Sequence, residues 1–202
     1  MGVLCLSTPA GAGERGWYAG IEAGLDWAGV SGPIISGPAC GFLALDPCPQ
    51  QADATSSAGW AVFGVVGTSL TNYVRLEGEV GYRAADFDGA SNISNTTAML
   101  NALFDVPLSA DFSLTIGAGI GFDQIDVSRV PGILVLGDNP TELAYQGIAG
   151  FTYDLGGGTD LTFKYRYMTS DIGDNVVVTG PNVLFTRDTD CSTVTIGLSF
   201  DL

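Results

Sequence analysis

Apolar and polar side chains alternate with a period of two through one segment of this chain after another. From position 17 the odd residues Trp17, Ala19, Ile21, Ala23, Leu25 and Trp27 are all apolar, while the even ones are Tyr18, Gly20, Glu22, Gly24 and Asp26. Successive side chains of a strand point to opposite faces, so this period predicts strands whose two faces meet different surroundings. The pattern returns as Val74, Leu76, Gly78, Val80 and Tyr82 against Arg75, Glu77, Glu79 and Arg83. A helix could not gather those four charges on one side. Further repeats set Phe112, Leu114, Ile116, Ala118, Ile120 and Phe122 against Ser113, Thr115, three glycines and Asp123, and Leu143, Tyr145, Ala149, Phe151 and Tyr153 against Glu142, Gln146, Gly150 and Thr152. Leu161, Phe163, Tyr165 and Tyr167 oppose Thr162, Lys164 and Arg166, and Val194, Ile196, Leu198, Phe200 and Leu202 oppose Thr193, Thr195, Gly197, Ser199 and Asp201. Two less regular strands are predicted over Ala58 to Leu70, with Trp60, Val62 and Val66 toward lipid, and over Thr96 to Val106. The total is eight, each close to the ~9–11 residues of a tilted membrane strand.

The environment outside these strands follows from what the chain lacks. No run approaches the ~18 uninterrupted apolar residues of a membrane helix. Yet 46% of residues are hydrophobic and only 14% charged, against about 25% charged in ordinary soluble domains. A closed barrel is the other structure that pairs every backbone polar group within a bilayer. A soluble barrel of the lipocalin kind would turn its apolar face inward, but charges occupy the complementary face of the third and seventh strands. The expectation is an all-β, eight-stranded antiparallel up-and-down transmembrane β-barrel, apolar toward lipid and polar within.

The connections alternate in length. Long ones fall near Gly29 to Ser57, Ala84 to Asn95, Val127 to Pro140 and Thr169 to Asp190, and short ones at Ser69 to Asn72, Pro107 to Asp111 and Leu155 to Thr159. Outer-membrane barrels keep short turns in the periplasm and long loops outside, which puts both termini in the periplasm. Trp17, Trp27, Trp60, Tyr82, Phe104, Phe112, Phe122, Tyr145, Tyr153 and Tyr167 lie near strand ends, where interfacial girdles are expected. Residues 1–12 read as the remnant of a secretory signal, with Ala10-Gly11-Ala12 as a small-x-small cleavage site after an apolar start. Residues 13–202 then form a single barrel domain.

Gly16-Trp17-Tyr18-Ala19-Gly20, Leu76-Glu77-Gly78-Glu79-Val80-Gly81-Tyr82 and Phe163-Lys164-Tyr165-Arg166-Tyr167 give the chain a further character. On these segments it resembles the small OmpA-like outer-membrane barrels, in particular the opacity-protein and porin-like surface proteins of Gram-negative bacteria, over Gly16 to Leu202. The resemblance implies insertion into outer-membrane lipid by the barrel-assembly machinery, and loops that meet an extracellular ligand or a host surface. One departure is the C-terminus, which ends Phe200-Asp201-Leu202 where such barrels usually end in an aromatic residue.

An eight-stranded barrel is only wide enough for side chains to fill. Glu22, Asp26, Glu77, Glu79, Asp123 and Glu142 are therefore expected to meet Arg75, Arg83, Lys164 and Arg166 in an interior charge network, since unpaired buried ions cost several kcal/mol. The alternative is a gate whose pairs rearrange to pass small ions, with water beside Gly117, Gly119 and Gly121. Barrel lipid A deacylases and proteases use a catalytic His, and this chain has none, so no enzymatic role is expected. No cofactor or metal motif is present, because the loop aspartates lack complete calcium-ligand spacing. Cys40 and Cys48 are expected to staple the first long loop, with Cys191 a competing partner. A net charge of -15 excludes nucleic acid as a partner, since no basic stripe exists to neutralise phosphates.

Overall fold

The computed structural model describes residues 16–31, 33–35, 50–51, 54–55, 58–87, 91–127, 141–171, 176–179, 182–185 and 188–202. Eight long strands form the barrel: β1 (Trp17–Ser31), β5 (Gly59–Ser69), β6 (Val74–Phe87), β7 (Ser91–Pro107), β8 (Phe112–Val127), β9 (Thr141–Asp154), β10 (Thr159–Asp171) and β13 (Asp188–Asp201). Each pairs antiparallel with its sequence neighbour in this set, and β13 returns to pair with β1 over fourteen residue pairs, so the sheet closes. Closure leaves the barrel wall without an unpaired edge. Short strands β2 (Pro33–Ile35), β3 (Gln50–Gln51), β4 (Ala54–Thr55), β11 (Val176–Thr179) and β12 (Asn182–Phe185) lie in the outer connections. Four of them form a separate sheet in the order β11-β12-β2-β3, while β4 adds to β1. Among the described residues, no helix is long and apolar enough to cross a membrane.

The predicted apolar face is the outer face. Ile21, Val80, Leu100 and Ile196 near strand centres are each more than half exposed, whereas Glu77, Asp123 and Arg166 are completely buried. Rings cluster toward the two ends of this outer surface. Trp60 lies 5.5 Å from Tyr82, Phe112 stacks on Phe151 at 5.3 Å, and Tyr73 stacks on Phe104 at 6.2 Å. Such rings suit the headgroup level, apolar in body and polar at the tip.

Short turns join β5 to β6, β7 to β8 and β9 to β10. Gly156, Gly157 and Gly158 have φ of +83°, +68° and +74°, the left-handed region that glycine enters without a Cβ clash. Asp154 fixes this turn by accepting the amide of Gly156 at 2.6 Å, and the Gly158 carbonyl accepts the Asp201 amide. One outer connection is shorter than its sequence suggests. Residues predicted as a long loop from Ala84 to Asn95 instead continue the β6–β7 ladder, with Ala84 opposite Ser94 and Phe87 opposite Ser91, leaving residues 88–90 between the strands. The ladder persists because its backbone pairs whether or not the flanking solvent is lipid.

Inside, large side chains lie over glycines of the adjacent strand. Tyr18 is in register with Gly67, Phe63 with Gly81, Asn101 with Gly119 and Met99 with Gly121. A Cβ on Gly81 would approach the Phe63 ring and the Thr97 hydroxyl to 2.6 Å. Beside Gly117, Gly119 and Gly121, where the gate reading places water, a built Cβ would meet protein side chains. Leu103, Asn101 and Met99 occupy the space their missing side chains leave.

Candidate functional site

The interior of the barrel is the candidate site, and it is built in three tiers along the strands. At the periplasmic end Arg75 of β6 donates to both carboxylate oxygens of Asp105 on β7, at 2.6 and 2.9 Å. The Thr115 hydroxyl donates to the same carboxylate at 2.6 Å, and the Arg75 guanidinium lies 5.3 Å from the centre of the Tyr18 ring. Bidentate guanidinium–carboxylate pairs are among the stronger side-chain contacts.

The middle tier crosses the lumen. Arg166 of β10 donates through Nη2 to Glu22 of β1 at 2.7 Å, through Nε to Glu79 of β6 at 3.0 Å, and through Nη1 to Thr195 of β13 at 2.8 Å. Lys164, one inward position nearer the periplasm, lies 2.8 Å from Glu22 and 3.2 Å from Glu77. Tyr18 donates to Glu77 at 3.0 Å, and Gln146 of β9 donates to Glu79 and to Asn101 of β7. Three carboxylates and two cations thus connect β1, β6 and β10, with amide partners on β7 and β9. All five charged groups are at most 2% exposed. Water cannot screen charges at this depth, so each ion depends on its protein partners.

The outer tier is looser. Arg83 of β6 sits 3.5 Å from Asp26 of β1 and donates to Thr97. Thr193 donates to Asp26, while Asp123 accepts from Asn95 and Ser170. Among the described residues, Arg83 Nη2 and Asp123 Oδ1 are buried without a hydrogen-bond partner, as are Asn101 Nδ2, Gln146 Oε1 and Thr162 Oγ1. Phe63 joins the tiers. Its ring centre lies 4.5 Å from the Arg166 guanidinium and 4.9 Å from that of Arg83, and it is 1% exposed. Cations over an aromatic face gain about 0.5–2 kcal/mol each, more when desolvated.

Of the residues singled out in the sequence, Glu22, Glu77, Glu79, Lys164 and Arg166 meet in the middle tier. Asp26 and Arg83 pair above them, with Asp123 beside them on neutral donors, and Arg75 pairs below them with Asp105. Glu142 is half-buried at the outer end of β9, in the inward register of Ala144 and Gln146. Cys40 and Cys48 lie outside the described residues. Cys191 is a free thiol buried in the outer half of the lumen, in one cluster with Met99, Ala144 and Met168. The sequence reading missed Phe63, Asp105 and Tyr18 as members of the network. Phe63 had a signal: with Trp60, Val62 and Val66 outward, its position is inward.

Comparison with known proteins places this architecture. The sequence matches the profile of the family described as outer membrane protein beta-barrel domain over residues 1–201. A comparison with curated protein sequences finds no match. Among solved structures the fold is similar to Neisserial surface protein A, with a TM-score of 0.63, 14% identity, and coverage of 93% of this chain and 98% of that one. It is also similar to OprG from Pseudomonas aeruginosa, with a TM-score of 0.61, 12% identity and coverage of 95% and 98%. The outer membrane protein AlkL follows at 0.60, with 18% identity and coverage of 100% and 97%. At such identities the likeness is one of fold. The family match spans nearly the whole chain and the barrel turns an apolar face outward, so this chain belongs to the outer membrane protein beta-barrel domain family and resides in the bacterial outer membrane.

Proposed function

We propose that this chain is a non-enzymatic surface barrel, a lumen-plugged anchor that contributes to envelope integrity and adhesion and presents its outer loops to an extracellular ligand or host surface. The observation that carries the reading is the chain of contacts Glu22–Arg166–Glu79, which reaches from β1 through β10 to β6 with every member at most 2% exposed. Opening a path through this tier would separate paired charges in a low-dielectric interior, at a cost of about 3–5 kcal/mol for each stranded partner. Catalysis is not proposed, because the interior offers carboxylates and cations that pair with one another and the chain contains no His. Purified protein reconstituted into planar bilayers is expected to give no steady unitary conductance. Steps that persist and vanish on neutralising Arg166 or Glu79 would assign a conducting lumen instead.

A narrow diffusion channel is the second reading, and one observation favours it. In the outer tier Arg83 Nη2 and Asp123 Oδ1 are a donor and an acceptor without partners among the described residues, so polar groups continue outward from the middle tier. In this reading the native protein gives steady unitary conductance, and neutralising Arg166 or Glu79 abolishes it.

A further inference from the structure

Three sulfur-bearing side chains gather in the outer half of the lumen. Apart from Met1, the chain's methionines are Met99 and Met168, and Cys191 is the one cysteine among the described residues. With Ala144 they form one buried cluster, no member more than 5% exposed. They come from β7, β10 and β13, and each stands beside buried polar residues in its strand's inward series. Met99 lies between Thr97 and Asn101, Met168 between Arg166 and Ser170, and Cys191 precedes Thr193. Met168 and Cys191 are directly opposed in the β10–β13 ladder. Met99 reaches the cluster over a glycine: a Cβ on Gly121 would come within 2.6 Å of its Sδ, and Gly121 stands opposite Ala144. Soft side chains of this kind usually fill irregular apolar cores. This cluster is set among charges.

The surrounding charges point to a cation. The buried ions of the outer tier are two carboxylates, Asp26 and Asp123, and one guanidinium, Arg83, and all three lie near enough for their charges to act on the Cys191 thiol. Asp123 borders the cluster through Ser170, which donates to its Oδ2 and stands directly opposite Ala144. The Asp123 Oδ1 is buried and has no hydrogen-bond partner among the described residues. A buried carboxylate without a counter-charge costs several kcal/mol, so one added positive charge stabilises this tier. Thioether and thiolate sulfurs select soft copper(I) over hard cations. Among the described residues no three His, Cys, Asp or Glu side chains gather to hold a harder ion.

We propose that Met99, Met168 and Cys191 form a three-sulfur site for a monovalent soft metal ion, copper(I). On binding, the Cys191 S–H bond breaks and an S–Cu bond forms with no change of oxidation state, since the thiolate is the ligand. The two thioethers donate lone pairs, and the proton passes to Asp123 Oδ1. The tier thereby goes from one net negative charge to none. The test refolds the full chain, labelled with 13C-methyl methionine, into phosphatidylcholine vesicles with silver(I) nitrate present, so that the metal need not cross the closed barrel. Silver(I) is redox-inert and shares the sulfur preference of copper(I). The Met99 and Met168 methyl signals are assigned from Met99→Leu and Met168→Leu, and the mobility difference between folded and unfolded bands checks every variant. A single equivalent of silver is expected to move both methyl signals, and copper(I) to displace it. Affinity should fall by at least about tenfold in Cys191→Ser and by about tenfold in Asp123→Asn, the lower end of what an outer partner of a metal site contributes. Met99→Leu and Met168→Leu conserve apolar volume, and each weakens binding while the other methyl still responds, which tests the site even where Cys191→Ser refolds poorly. Methyl signals that stay in place at saturating silver overturn the proposal, because metal held by a cysteine elsewhere in the chain moves neither. Shifts that persist at unchanged affinity in Cys191→Ser or in both leucine variants, or equal shifts with zinc, overturn it as well.

Discussion

Replacing Arg166 with Met tests whether the middle tier is held by charge pairing. The guanidinium makes three hydrogen bonds, to Glu22, Glu79 and Thr195, and lies over Phe63. Its loss does not affect the two carboxylates equally. Glu22 keeps Lys164 at 2.8 Å, but Glu79 is left with the Gln146 amide at 3.2 Å as its remaining donor. Stranding one buried charge costs about 3–5 kcal/mol, so R166M should lose that much stability. The unfolding equilibrium then shifts by roughly two to four powers of ten. Adding Glu79→Gln removes the stranded charge, and R166M/E79Q should recover about 2–3 kcal/mol of the loss as a coupling energy. Urea unfolding in phospholipid vesicles, followed by tryptophan fluorescence and by the mobility difference between folded and unfolded bands, reads both values. The reasoning fails if R166M unfolds within about 0.5 kcal/mol of the parent chain, the scale of an uninvolved surface change. It also fails if E79Q adds its own full penalty.

Other expectations follow from the same structure. Phe63→Ala should cost about 3–5 kcal/mol in the same assay, the range for buried aromatic truncation; a loss under 1 kcal/mol would mean that the ring's packing against Arg83 and Arg166 does not support the lumen network. Gly81→Val forces a side chain against Phe63 and Thr97 and should cost about 1–3 kcal/mol, with partial recovery when Phe63→Leu is added. Val80→Arg, on the lipid face at the centre of β6, should cost about 2–4 kcal/mol in bilayers. A neutral result there would mean that this face does not meet the hydrocarbon core. Gly157→Ala, at a φ of +68°, should destabilise the turn by about 1–2 kcal/mol, measurable as a lowered unfolding midpoint.

The barrel was legible because alternation survives even where chemistry is monotonous. In the middle of β8 the inward positions 117, 119 and 121 are all glycine, yet Ile116, Ala118 and Ile120 still mark the outer face. The charged members of the network were legible for the same reason, since Lys164 and Arg166 share one face of a strand whose other face is aromatic. Which cation meets which carboxylate was not, because partners such as Glu22 and Arg166 stand 144 positions apart and meet only through barrel closure. The inward position of Phe63 followed from Trp60, Val62 and Val66 outward, but its place beside the cations did not, because both faces of β5 are apolar there. The extent of the Ala84 to Asn95 connection was hidden as well, since strand pairing can run beyond the lipid without apolar alternation to mark it.

The direct test of a sealed, charge-paired interior is magic-angle-spinning NMR of the protein in lipid bilayers. It would measure dipolar couplings between the Arg166 guanidinium nitrogens and the side-chain carboxyl carbons of Glu22 and Glu79. Contacts to both carboxyl groups are expected, together with guanidinium protons that exchange slowly with bulk water. Couplings too weak for contact, with Arg166 protons exchanging as rapidly as those of a solvated arginine, would contradict the plugged lumen.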